Sequence, residues 1–200
     1  MRQLTREIMQ LRQDPPEGIR ISVNEENILD FTGILEGPGS CAWCFGTCTC
    51  WQAISRPIVY ANLTIKPHLA GTPYEGGYFR VKFNFTDEFP AAPPKCLSRD
   101  RLDSCLKLSM CYTGHFVTKL FHPNVSSSGE ICVNTLKKDW QPSFGISHIL
   151  VTIKCLLIYP NPESALDEEA GKLLLEDYTE FEKRAKLICE IHAQPKVRAE

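Results

Sequence analysis

Cys132 is the residue of this sequence best placed to do covalent chemistry. It follows Gly129-Glu130-Ile131 in a stretch rich in small residues, eight positions after Asn124. A thiol in such a loop could take up an acyl group, because sulfur attacks well as a thiolate and leaves readily from a thioester. A buried structural cysteine is the other reading of the same residue, and burial is the commoner fate of a free thiol. His122 invites a Cys-His pair of the kind proteases use, but a separation of ten residues specifies no geometry for one. Cys41, Cys44, Cys48 and Cys50 form a denser group of thiols. Their C-x2-C-x3-C-x-C spacing departs from the paired arrangement that tetrahedral zinc favours, so they stand as weak metal candidates and no metal site is expected.

The elements that must hold these residues follow from hydrophobic patterning. Leu4, Ile8 and Leu11 fall at helical spacing among polar residues, and Asp14-Pro15-Pro16 cannot continue a helix, so residues 3–12 should open the chain as a short amphipathic helix. Ile19 to Val23 and Leu29 to Leu35 read as strands, the second ended by Gly37-Pro38-Gly39. From Tyr78 to Phe85, Phe79, Val81, Phe83 and Phe85 alternate with more polar residues, the pattern of a strand with one face on a core. These strands imply an antiparallel meander. Phe121 to Trp140 has loop chemistry, and function concentrates in such segments. A nearly apolar helix is expected from about Ile146 to Leu157, with Ile149, Leu150, Ile153, Leu156 and Leu157 inward and Pro160 closing it. Ser164 with Asp167 suggests a capping-box start for C-terminal helices that bury Leu166, Ala170, Leu173, Leu174, Tyr178, Phe181, Ile188 and Ile191. Strands early and helices late give an α+β class.

Composition narrows the function further. The 22 basic and 24 acidic side chains nearly cancel, which argues against nucleic acid or an electrostatically held membrane surface as partner. The N-terminal MRQLTREIMQLRQ lacks the apolar core of a signal peptide, and the most apolar run, Ile149 to Ile158, is short and interrupted by Lys154. A monomer in the cytoplasm or nucleus is expected. In a reducing compartment the ten cysteines should be buried, metal-bound or catalytic rather than a disulfide framework.

Several motifs then occur in one order. Gly71-Thr72-Pro73-Tyr74-Glu75-Gly76-Gly77-Tyr78-Phe79 is followed by Phe89-Pro90 and Pro93-Pro94-Lys95, and then by Phe121-His122-Pro123-Asn124-Val125. Gly129-Glu130-Ile131-Cys132-Val133-Asn134, Asp139-Trp140-Gln141-Pro142 and Tyr159-Pro160-Asn161-Pro162-Glu163-Ser164-Ala165-Leu166 complete the series. Together they resemble the signature of ubiquitin-conjugating enzymes. Residues 129–134 and 161–166, with Thr-Ile-Lys-Cys-Leu-Leu-Ile at 152–158 and Glu-Glu-Ala-Gly at 168–171, are similar within that family to the members that elongate ubiquitin chains for the anaphase-promoting complex. The resemblance implies the family's fold: an N-terminal helix, a four-stranded antiparallel meander, a central helix and C-terminal helices. It implies that Cys132 accepts ubiquitin as a thioester from the activating enzyme and passes it to a lysine of a substrate or of ubiquitin. ATP would be consumed by the activating enzyme, and no cofactor would be bound here. Asn124 would steady the oxyanion formed when lysine attacks, or hold the active-site loop in shape. His122 would act as a general base or, as we prefer, hydrogen-bond backbone in that loop. Glu163 and Ser164 stand where an acidic or desolvating gate for the lysine amine is expected, with helix capping as the plainer reading of Ser164. Ligases would meet Arg2 and Arg6 of the first helix, Ala91 and Ala92, and Gln141 to Phe144.

Residues at about 40–69 and 96–113 lack this patterning and read as insertions into a single conjugating domain over 1–194, followed by a short tail, 195–200. Removing them leaves roughly 150 residues, an ordinary domain size. Enlarging a hairpin loop from about 4 to about 34 residues costs only about 2 kcal/mol of closure entropy, so the core should survive the first insertion. The chain ends at Lys196-Val-Arg-Ala-Glu200, without the lysine-rich extension of the chain-elongating members. The alternative function is a catalytically impaired or non-catalytic ubiquitin-binding variant, crippled by its insertions.

Overall fold

The structure is a computed structural model, and it describes residues 2–24, 30–39, 71–85, 89–91, 114–131 and 140–195. Cys132, the four cysteines from Cys41 to Cys50, Ala92 and both suspected insertions lie outside the described residues.

The chain opens with helix α1 (Arg2–Gln13), whose Leu4, Ile8 and Leu11 are buried in one stripe, as their spacing requires. Strands β1 (Ile19–Val23), β2 (Asp30–Glu36), β3 (Tyr78–Asn84), β4 (Gly114–Phe116) and β5 (Glu130–Ile131) follow. They form one antiparallel sheet in sequence order, so the meander expected from alternation is present, and a two-residue fifth strand extends it. That last strand is too short to leave any periodicity in the sequence. Register places Phe31 opposite Phe83 and Leu35 opposite Phe79, all four with no exposed surface.

Helix α2 (Ile146–Ile158) lies across the inner face with Ile146, Ile149, Leu150, Ile153 and Leu157 buried. Gly33 makes this approach possible, because a Cβ there would fall 2.5 Å from Leu150 Cδ2. Cys155, not Leu156, completes the fully buried face of α2, and Leu156 is only half-buried.

The C-terminal helices start later than the Ser164 capping-box reading had them. Ser164 belongs to a 3-10 turn, Pro162–Ser164, and α3 (Glu168–Glu176) is capped by Asp167, whose carboxylate accepts from Ala170 N–H at 3.0 Å. An Asp is as good an N-cap as a Ser, and Asp167 has extended backbone directly ahead of α3. Asp177 then ends α3 and caps α4 (Tyr178–His192) at once: its N–H donates to Leu173 O and its side chain accepts from Glu180 N–H. The buried stripe of α4 is Phe181, Ala185 and Cys189, which turns Ile191 out to solvent instead of into the core. No helix among the described residues is long and apolar enough to cross a membrane.

The borders of the first suspected insertion remain adjacent. Thr72 Oγ1 donates to Pro38 O at 2.6 Å and Gly37 N–H donates to Gly77 O at 2.7 Å. Gly37 has no room for a side chain, since a Cβ would collide with the Tyr74 carbonyl and press on Phe79. Gly37→Ala is expected to lower stability by about 1 to 3 kcal/mol, the usual range for overpacking. Urea denaturation would show it, and an unchanged midpoint would contradict this packing.

Candidate active site

The site joins the continuous stretch 121–131, which ends in the β5 hairpin, to residues 161–167. The hairpin ends at Ile131, the residue before Cys132 in the sequence. Gly129 adopts a left-handed conformation (φ 93°), and a Cβ there would meet Phe116 O, so only glycine fits this turn. Ser126 closes the turn, exchanging backbone hydrogen bonds with Glu130 and Gly129 while its hydroxyl accepts from Glu130 N–H. Val125 pairs with Ile131, which is fully buried next to Cys132. Asn124 is therefore one residue from the strand partner of the residue that precedes the thiol.

Asn124 has no exposed surface, and its amide is fully engaged. Nδ2 donates to Asn161 O at 2.6 Å and to Ser164 O at 3.1 Å, while Oδ1 accepts from Asn161 N–H at 2.7 Å. Pro123 O accepts from the N–H groups of Leu166 and Asp167. Pro123 and Asn124 thus tie the 161–167 loop to the segment whose Val125 pairs with Ile131. These hydrogen bonds hold residues 161–164 in place.

His122 is fully buried too. Its Nδ1 accepts from Asn124 N–H at 3.0 Å, which puts the ring proton on Nε2, and Nε2–H donates to Leu156 O at 2.9 Å. Burial away from water lowers its pKa from 6.5 to about 4, only partly opposed by the Leu156 carbonyl, so the ring is neutral at physiological pH. Both nitrogens are occupied by backbone, and the ring joins the site loop to the end of α2. Tyr74, packed 5.7 Å from it, donates its hydroxyl to Phe121 O at 2.7 Å.

Glu163 and Ser164 sit in the bolted loop. Glu163 is exposed and Ser164 half-buried. Asn161 Oδ1 accepts from Glu163 N–H at 2.9 Å and shapes the turn that carries them. Asn161 is the site residue that patterning did not single out, although an Asn-Pro ahead of a polar pair is an Asx-turn signal. Arg6 and Ala91 are exposed, as are Gln141 and Ser143 in the loop before α2.

Comparison with known proteins decides what this arrangement belongs to. The family model described as ubiquitin-conjugating enzyme matches residues 51–189. The chain is 45% identical over 195 residues to ubiquitin-conjugating enzyme E2 S of Branchiostoma floridae, covering 98% of this chain and 68% of that protein. The chain belongs to the ubiquitin-conjugating enzymes. The E2 S of Nematostella vectensis is 46% identical over 194 residues, covering 97% of this conjugating enzyme and 71% of the relative. Among solved structures, a Plasmodium yoelii protein assigned as a ubiquitin conjugating enzyme superposes with a TM-score of 0.67 at 25% identity, over 96% of this chain and 94% of that one. As a member of this family, the conjugating enzyme works with ubiquitin, an activating enzyme and ligases.

Proposed function

We propose that this conjugating enzyme carries ubiquitin as a thioester on Cys132 and elongates ubiquitin chains by transfer to a lysine. The observation that supports it most is the Asn124 clamp. It fixes the 161–164 loop, with Glu163 and Ser164, against the hairpin that leads into Cys132. In the charging step the Cys132 thiolate attacks the ubiquitinyl thioester of the activating enzyme, whose own thiolate leaves. In the transfer step a neutral lysine amine attacks the carbonyl, the C–S bond breaks and the Cys132 thiolate departs, and the nitrogen's surplus proton is lost to solvent as the amide forms. The amine must first lose a proton, and Glu163 is our candidate to favour that loss from the exposed rim of the loop. The bolted loop supplies orientation, and buried His122 supplies rigidity without exchanging protons near neutral pH. In the sequence the suspected insertions fall outside residues 121–131 and 161–167, which favours an active carrier over a crippled one. By the same resemblance, we assign the anaphase-promoting complex as the ligase.

Charging the enzyme and chasing with free lysine tests the reading. Discharge should yield a ubiquitin–lysine amide, and Glu163→Gln should slow it severalfold with charging unchanged. Discharge by hydrolysis alone, with no amide product, would sink the transfer assignment.

A further inference from the structure

The segment that follows the first suspected insertion reaches the site through one buried side chain, Tyr74. Its ring is 1% exposed and packs edge-on against Phe79 at 5.9 Å and against the His122 imidazole at 5.7 Å. A phenol so deeply buried needs a partner for its hydroxyl, and it has one: the group donates to Phe121 O at 2.7 Å. Burial raises its pKa well above 10, so the hydroxyl stays a donor at any working pH.

Tyr74 is itself held from three directions. Its N–H donates to Thr72 Oγ1 at 3.3 Å, and that hydroxyl donates to Pro38 O, just beyond the end of β2. Its carbonyl accepts from Gly77 N–H at 3.1 Å, next to the start of β3, and from the Cys189 thiol of α4 at 3.8 Å. Helix α4 also supports the far end of the contact, because Phe181 packs on the Phe121 ring at 5.8 Å. The phenol is thus a post anchored in the sheet and in α4, with its tip on the peptide group that leads into His122.

That peptide group is where orientation enters the site. Phe121 O lies in the plane shared with His122 N, so the hydroxyl fixes the tilt of this plane while the Tyr74 ring backs the imidazole. The imidazole receives Asn124 N–H, and the Asn124 amide holds residues 161 and 164. One continuous series of contacts therefore runs from Tyr74 to the loop that carries Glu163 and Ser164.

We propose that Tyr74 is a positioning residue for lysine transfer, its hydroxyl setting the 121–122 peptide so that His122 and Asn124 hold the 161–164 loop in its working place. This inference rests on the transfer function proposed above.

Tyr74→Phe keeps the ring and its packing and removes only the donor. The test compares it with wild type, Asn124→Ala, the Tyr74→Phe/Asn124→Ala double variant and Ile19→Val, a mild core truncation in β1 that serves as the stability control. Each is charged and then chased with free lysine. Tyr74→Phe should charge at the wild-type rate and discharge to lysine about five-fold more slowly, the rate equivalent of one neutral hydrogen bond. Ile19→Val should match wild type in both steps. In the Asn124→Ala background, Tyr74→Phe should slow discharge by less than about two-fold more, because the loop it acts on is already released. Wild-type discharge by Tyr74→Phe would overturn the proposal, as would an equal slowing in Ile19→Val, an equal slowing of charging, or a further loss of about five-fold in the double variant. A charged wild type that yields only hydrolysis would overturn the transfer function and this proposal with it, and that result is read without any variant.

Discussion

Asn124→Ala should leave a folded but weakened enzyme that still accepts ubiquitin and passes it to lysine about 100-fold more slowly. The substitution removes three part-buried hydrogen bonds, one from Asn161 N–H and one to each of the Asn161 and Ser164 carbonyls. Water can satisfy some of them only by entering the loop, so a stability loss of about 2 to 4 kcal/mol is expected. The charging step asks little of the 161–164 loop. Lysine attack asks more, because a shift of about 1 Å in the groups that orient a nucleophile can cost two orders of magnitude. A residue that only donated to the oxyanion would behave differently: its loss would slow transfer and spare stability. Urea denaturation alongside single-turnover discharge separates the two, and slow transfer with unchanged stability would refute the clamp. Asn124→Asp should fare no better, since it would aim a second acceptor at two carbonyl oxygens.

Acid should destabilise the enzyme through His122. The folded-state pKa of about 4 lies below the ordinary 6.5 that the unfolded chain recovers. Between these values the unfolded state binds the extra proton, so stability is full above about pH 6.5 and is lost as pH falls toward 4. A difference of about 2.5 units corresponds to about 3 kcal/mol for this fully buried ring. His148, also lowered by burial, acts in the same direction. Carboxylates titrate in part of this window, so the informative comparison is wild type against His122→Gln. The variant should be less stable at pH 7.5 and should lose less on going to pH 4.5. Parallel losses in the two proteins would place the sensitivity elsewhere.

Elements with local periodicity were legible in the sequence. The alternation of Phe79, Val81 and Phe83 gave β3 its inner face, and the spacing of Leu4, Ile8 and Leu11 gave α1. The site motif was legible as an order of short matches, and His122 and Asn124 do converge with the 161–164 loop. What patterning missed depends on contacts between distant residues. The Ser164 start failed because cap choice is settled by backbone geometry, and Asp167 three residues on holds it. Ile191 was placed inward because a helical stripe of isoleucines reads as buried, whereas α4 packs through the smaller Ala185 and Cys189. The Tyr74 hydroxyl on a carbonyl 47 residues away leaves no trace in local sequence. The hydrogen bonds of Asn124 to Asn161 and Ser164 likewise leave no local signal.

The central claim, that ubiquitin is carried on Cys132, is tested most directly by incubating the enzyme with activating enzyme, ATP and ubiquitin, beside Cys132→Ala, on gels with and without reducing agent. The account predicts one adduct, cleaved by reductant and missing from Cys132→Ala. Soluble, folded wild type that forms no adduct, or an adduct that survives in Cys132→Ala, would contradict it.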